Sequence, residues 1–119
     1  MWTIEVTDNF SNWFDQQDNE IQLDVIAALT LLEQDGPNLS RPHVDTLYGS
    51  ALTNLKELRV QSKGRPVRCF FVFDPRRCAI VLCAGNKTGK QEKIFYRRMI
   101  KTAEQEYFRH LQTLNRGKK

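Results

Sequence analysis

The stretch Leu55 to Ala84, LKELRVQSKGRPVRCFFVFDPRRCAIVLCA, decides the fold. From Leu55 the apolar residues recur every second position, with Leu58 and Val60 on one side and Glu57, Arg59 and Gln61 on the other, which is the period of a strand. Ser62-Lys63-Gly64-Arg65-Pro66 supplies a turn into Val67–Phe73, and Asp74-Pro75-Arg76-Arg77 turns the chain again into Cys78–Ala84. The expected product is a three-stranded antiparallel meander. Its middle strand puts Cys69, Phe71 and Phe73 on one side and Arg68, Phe70 and Val72 on the other. Helices are expected against the first set, leaving Arg59 and Arg68 to share an open face.

Upstream, Trp2, Ile4 and Val6 alternate with Thr3 and Glu5 and predict a half-buried strand over residues 1–6. Asp8 offers an N-cap to a short helix carrying Phe10, Trp13 and Phe14. After Gln17-Asp18-Asn19, the stripe Ile21, Val25, Ala28, Leu29 and Leu32 predicts a second helix, stopped by Asp35-Gly36-Pro37 and packed beside the first as a hairpin. Residues 36–54 hold no sustained period and read as a long surface connection. Downstream, Ile100, Ala103, Tyr107, Leu111 and Leu114 predict a terminal helix, with Thr102 and Gln105 as its capping box and residues 116–119 as a frayed basic tail. The class is α+β, one domain over residues 1–119, with an antiparallel sheet and its helices segregated to one face.

Charge is divided along the chain. Residues 1–55 hold one cation, Arg41, against nine carboxylates, while residues 56–119 hold seventeen Lys and Arg against five. So basic a half on a small domain points to a polyanionic partner, with nucleic acid first. The longest apolar runs fall well short of the roughly 20 residues that cross a bilayer, so no membrane association is expected. The N-terminal residues carry no basic n-region or apolar h-region, and the cytoplasm is the expected compartment. Cys69, Cys78 and Cys83 lie in apolar strands without paired C-x-x-C spacing, so buried thiols are expected, and neither a disulfide framework nor a metal site.

The residues that carry chemistry are cations and one aromatic around the meander: Lys56, Arg59, Arg65, Arg68, Arg76, Lys87, Lys90 and Tyr96. No G-x-S-x-G, P-loop or H-E-x-x-H is present. Such a set can bind RNA phosphates, and it can stabilise the charge that builds up when a 2′-hydroxyl attacks the neighbouring phosphodiester. That cleavage needs no metal or cofactor, only groups to take and give a proton and cations around the phosphorane. Tyr96, Lys56 and Glu57 are the proton-transfer candidates, provided neighbouring charge moves their pKa toward neutrality. Glu57 also reads as an ion partner of the arginines, while His43 in the long connection and His110 on the last helix read as surface residues.

Five spaced segments in order then carry a resemblance: RPHVDTLYGS at 41–50, NLKELR at 54–59, FDPRR at 73–77, AGNKTGK at 84–90 and FYRRMI at 95–100. Together they resemble the phage-derived, HigB-like branch of the RelE/ParE toxin superfamily over nearly the whole chain. The resemblance implies a compact α+β ribonuclease toxin of a type II toxin–antitoxin pair that cuts mRNA on the ribosome. It also implies a cognate antitoxin, in this branch often a helix-turn-helix protein. By position, Arg59 and Arg68 match the family's strand arginines, Lys87 the lysine after the fourth strand, and Tyr96 the aromatic just beyond it. Lys56, Arg65, Arg76 and Lys90 are then the expected further RNA contacts. Two departures stand out: Asn86 replaces an aspartate frequent in relatives, and Lys101 follows Ile100 where a proline is frequent, which softens the expected break before the last helix. Two rival functions share the fold, a ParE-like inhibitor of DNA gyrase and a catalytically silent nucleic-acid- or antitoxin-binding module.

Overall fold

The computed structural model describes residues 1–89 and 91–116, with the side chain of Arg116 left out. In chain order the elements are β1 (Thr3–Val6), α1 (Asp8–Asp15), α2 (Asn19–Asp35), β2 (Val44–Thr46), β3 (Lys56–Ser62), β4 (Arg65–Asp74), β5 (Cys78–Asn86) and α3 (Glu92–Arg116), with a 3-10 turn at Gly36–Asn38. One five-stranded sheet has the order β1-β5-β4-β3-β2. The meander is as expected. Two edge strands extend it: β1 runs parallel to β5, and β2 pairs antiparallel with β3 through Val44 opposite Leu58. The parallel edge is possible because two helices and three strands separate β1 from β5 in sequence, a connection long enough for a crossover.

The helices lie on both faces of the sheet, which corrects the one-sided expectation. Phe10 of α1 and Ile21, Val25 and Leu32 of α2 pack on Leu58, Val60, Val67, Cys69, Phe71 and Val81. Phe95, Met99 and Ala103 of α3 pack on Phe70, Val72, Ile80, Leu82 and Cys83 on the opposite face. The face carrying Phe70 and Val72 is therefore covered. The segment 47–55 belongs to this second layer too. Leu55 is fully buried, Leu47 and Leu52 pack on α3, and the Glu104 carboxylate accepts from Ser50 Oγ (2.8 Å) and the Ala51 N–H (2.7 Å).

A bulge in β5 sets which residues face α3. Phe70 pairs with Cys83 and Phe71 with Val81, so Leu82 is the extra residue and both Leu82 and Cys83 turn toward α3. Beyond the bulge Gly85 lies under the helix, where an added Cβ would stand 3.0 Å from Phe95 Cε1 and 3.2 Å from Met99 Sδ. A side chain here would have to press Phe95 and Met99 back by a few tenths of an ångström.

The helix ends differ from expectation in two places. Thr7, rather than Asp8, caps α1: its hydroxyl accepts from the Phe10 N–H (3.1 Å) and donates to the Leu82 carbonyl (2.6 Å), so one side chain caps the helix and ties it to β5. α3 begins at Glu92, ten residues before the expected capping box, and Thr102 lies inside it with its hydroxyl donating to the Arg98 carbonyl. The helix runs through Ile100-Lys101 without a break. Val6 is exposed rather than inward, and of the expected frayed tail residues 117–119 lie outside the described residues. All three cysteines are buried and free, as expected.

Candidate functional site

β3 and β4 bring two arginines side by side. Arg59 pairs directly with Arg68 in the antiparallel register, on the face toward α3. Like charges directly opposite each other destabilise a sheet unless something neutralises them. Glu57 does so. Its side chain is only 3% exposed; Oε2 accepts from Arg59 Nε at 3.1 Å, and Oε1 lies 3.6 Å from Arg68 Nε. The same Oε1 accepts a 2.6 Å hydrogen bond from the Tyr96 hydroxyl, so one buried carboxylate holds two strands and α3 together.

Tyr96 sits on the first turns of α3, edge-on to Phe70 and Phe95. Burial, reinforced by the Glu57 carboxylate and only partly offset by Arg68, pushes its phenol up to about 12. That is away from neutrality, the opposite of the shift expected for a proton-transfer group, so at neutral pH the Tyr96 phenol is protonated. Lys87 stands at the end of β5, its backbone N–H donating to the Pro66 carbonyl (2.9 Å). Its Nζ lies 5.7 Å from the Tyr96 ring centre and 2.5 Å from Glu92 Oε1, which holds the Glu92 carboxyl below its usual range.

Sequence reasoning missed a second carboxylate, Asp45, hidden in the unpatterned connection. On β2 it accepts from Arg59 Nη2 at 3.2 Å and from Arg41 Nη2 at 3.1 Å. The Arg41 contact leads the causes that hold its carboxyl low. Arg59 is thus clamped between Glu57 and Asp45. Burial works against its charge, but the two carboxylates outweigh this and raise its pKa.

Arg59, Arg68, Lys87 and Tyr96, together with Glu57, therefore converge at one end of the sheet. The wider set does not. Lys56 alternates to the other side of β3 from Glu57, where Nζ donates to Thr46 Oγ1 (2.8 Å). Arg65 is tied to Asp18 (2.6 Å) and Glu20 (3.4 Å) at the start of α2. Arg76 is tied to Asp74 (2.6 Å) on the β4–β5 hairpin, at the far end of β4 from Arg68. Lys90 lies outside the described residues. Asn86 also points away: its amide accepts from Trp13 Nε1 (3.0 Å) and donates to Gln17 (3.1 Å), so it anchors α1 and contributes nothing to this cluster. His43 is exposed and offers its backbone carbonyl to the Arg59 N–H (2.7 Å). His110 is not a surface residue: it is half-buried, stacks on Tyr107, and its Nε2 is buried without a hydrogen-bond partner among the described residues.

Chemically, the cluster is a cationic patch that carries its own counter-charges, with one phenol hydrogen-bonded to the buried carboxylate. It is suited to an anion whose oxygens replace the carboxylates on the guanidiniums. Residues 12–108 match the family described as phage derived protein Gp49-like. The chain is 45% identical over 111 residues to "Putative toxin HigB2" of Mycobacterium tuberculosis, covering 92% of this chain and 54% of that protein. It is 40% identical over 93 residues to "Putative toxin HigB3" of the same organism, covering 78% of this chain and 79% of that one. The chain thus spans about half the length of the first relative and most of the second. A crystal structure of a metal-bound toxin from Helicobacter pylori superposes with a TM-score of 0.45 at 16% identity, covering 73% of this chain and 96% of that one. The chain belongs to the phage-derived Gp49-like family, in its HigB-like branch.

Proposed function

We propose that this protein is the toxin of a type II toxin–antitoxin pair and acts as a ribosome-dependent mRNA endonuclease whose cleavage uses no metal. The observation that carries the reading is the direct pairing of Arg59 with Arg68. Two guanidiniums held side by side are unfavourable for folding alone, and they match the two non-bridging oxygens of a phosphodiester. Lys87 adds a third cation and Tyr96 a proton donor on the same side.

In this mechanism the mRNA 2′-hydroxyl attacks the adjacent phosphorus and loses its proton to solvent water. The bond from phosphorus to the 5′-oxygen breaks to leave a 2′,3′-cyclic phosphate, and solvent afterwards returns a proton to Tyr96. Arg59, Arg68 and Lys87 take up the charge that develops on the phosphorane, and Tyr96, its hydrogen bond to Glu57 given up, protonates the departing 5′-oxygen. A phenol whose pKa stands near 12 remains protonated until the leaving oxygen, itself strongly basic, draws the proton away. Glu57, buried and committed to three partners, orients the array and is the ion partner rather than the base. The catalytic power is chiefly electrostatic, from charges fixed before the substrate arrives.

The test is to express the protein briefly and map new 5′ ends on transcripts, with and without translation of those transcripts. New ends within translated frames only support the reading. A gyrase inhibitor would leave transcripts whole and accumulate cleaved or supercoiling-defective DNA, and a silent module would do neither.

A further inference from the structure

α2 is apolar on nearly every side. Ile21, Val25 and Leu32 are buried against the sheet. On the outward side Leu23 is 66% exposed, Ile26 50% and Leu31 38%. At helical spacing, Leu23, Ile26, Ala27, Thr30 and Leu31 form a second stripe without a single charge. Beside it Ile4, Ile26, Leu29, Thr30 and Glu33 line a shallow groove of about 160 Å³. A helix with apolar residues on its core side and again on its solvent side is built to be covered twice.

The borders of the stripe say by what. α2 contains no Lys or Arg, and Asp24, Glu33 and Asp35 flank the stripe without an ion pair among the described residues. A symmetric contact between two copies through this face would set these carboxylates against one another, which opposes a dimer here. Covering it with the basic α3 of a second copy would use different surfaces on the two molecules and give rings or open-ended chains rather than a closed pair.

We infer that the outer face of α2 is the docking surface for an amphipathic helix of a partner protein, apolar on one side and flanked by Lys or Arg. Taking that partner to be the antitoxin rests on the proposed function. α2 and the Arg59–Arg68 cluster lie on opposite faces of the sheet. Docking here leaves the cluster uncovered, so the hold on α2 is separate from access to the cluster.

The experiment uses the full chain and the antitoxin encoded beside it. Leu23→Ser with Ile26→Ser changes two exposed side chains and no residue of the cluster. It should weaken antitoxin binding about 10-fold or more, as expected for two apolar anchors, while mRNA cleavage stays at the wild-type rate. Asp24→Lys with Glu33→Lys should weaken binding in a way that low salt makes worse. Wild-type affinity in both variants would overturn the docking surface and leave the toxin reading intact. Failure of the wild-type chain to bind the antitoxin would remove both. Sedimentation showing a wild-type homo-oligomer that the serine variant abolishes would assign the face to a second copy and overturn the inference.

Discussion

Arg59 and Arg68 face each other across β3 and β4 with one buried carboxylate, Glu57, between them. Counted with Arg41 and Asp45 on one side and Lys87 and Glu92 on the other, four cations meet three carboxylates, an excess of one positive charge.

Arg68→Ala tests the excess charge. Single-turnover cleavage should fall by about 10²-fold or more, the scale seen when a preorganised charge-stabilising donor is removed. Because Arg68 is a partner of buried Glu57, the variant should also lose about 1–3 kcal/mol of stability, read as a lower Tm. Arg68→Lys should recover the Tm better than the rate, since a point charge cannot reproduce a two-toothed guanidinium grip. Full cleavage by the alanine variant would take Arg68 out of the site.

Glu57→Gln separates positioning from base catalysis. It should destabilise the fold by about 2–4 kcal/mol, because two arginines lose their shared counter-charge. With the Glu57 charge gone and Asp45 still on Arg59, binding of single-stranded RNA should show a log-log salt slope steeper by about 0.7, one more neutralised phosphate. Cleavage should fall even as binding tightens. A loss of cleavage with an unchanged salt slope would return Glu57 to the role of a proton acceptor.

Tyr96 makes a pH prediction. Its folded pKa, about 12, is raised above the ordinary tyrosine value of roughly 10, through burial first and the Glu57 carboxylate second. A group raised on folding contributes stability that is complete below its unfolded pKa and is lost as pH climbs through the folded one. Alkaline denaturation should therefore carry a component between about pH 10 and 12 that Tyr96→Phe removes. If the phenylalanine variant has the same alkaline profile, the Tyr96–Glu57 contact is not formed in solution.

The cysteines predict a reactivity order. Burial pushes the Cys69 and Cys83 thiols up to about 12, and burial followed by Asp74 and Glu5 also raises Cys78. Cys78 lies near the β4–β5 hairpin and keeps some exposure, 8%. A thiol reagent at neutral pH should label Cys78 slowly in the native protein and reach Cys69 and Cys83 only on unfolding. Native labelling that survives Cys78→Ser would show that one of the two sheet faces opens.

Much of this was legible in the residues. Alternation marked β3, and the two turns marked the meander, while the stripes of α1 and α2 marked their inner faces. The second layer was written there as well: FFVF at 70–73 and AIVLCA at 79–84 are nearly continuous apolar runs, the pattern of strands covered on both faces. An arginine beside them, Arg68, drew attention to an open face instead. β2 is three residues long and held by pairing with β3, so no local period could mark it. With it went Asp45, the clamp on Arg59. Arg65 and Arg76 show the limit of reading charge from sequence, because the same guanidinium serves a phosphate or a carboxylate depending on what the fold brings beside it.

The central claim is that guanidinium, ammonium and phenol groups cut mRNA through its own 2′-hydroxyl. The chemistry of the ends made at the cut tests it most directly. Fragments from ribosome-bound mRNA cut by the purified protein should carry a 2′,3′-cyclic phosphate on the upstream piece and a 5′-hydroxyl on the downstream piece, and Arg59→Ala, Arg68→Ala and Lys87→Ala should each suppress both. A 3′-hydroxyl and a 5′-phosphate, or ends that persist undiminished in those variants, would contradict it.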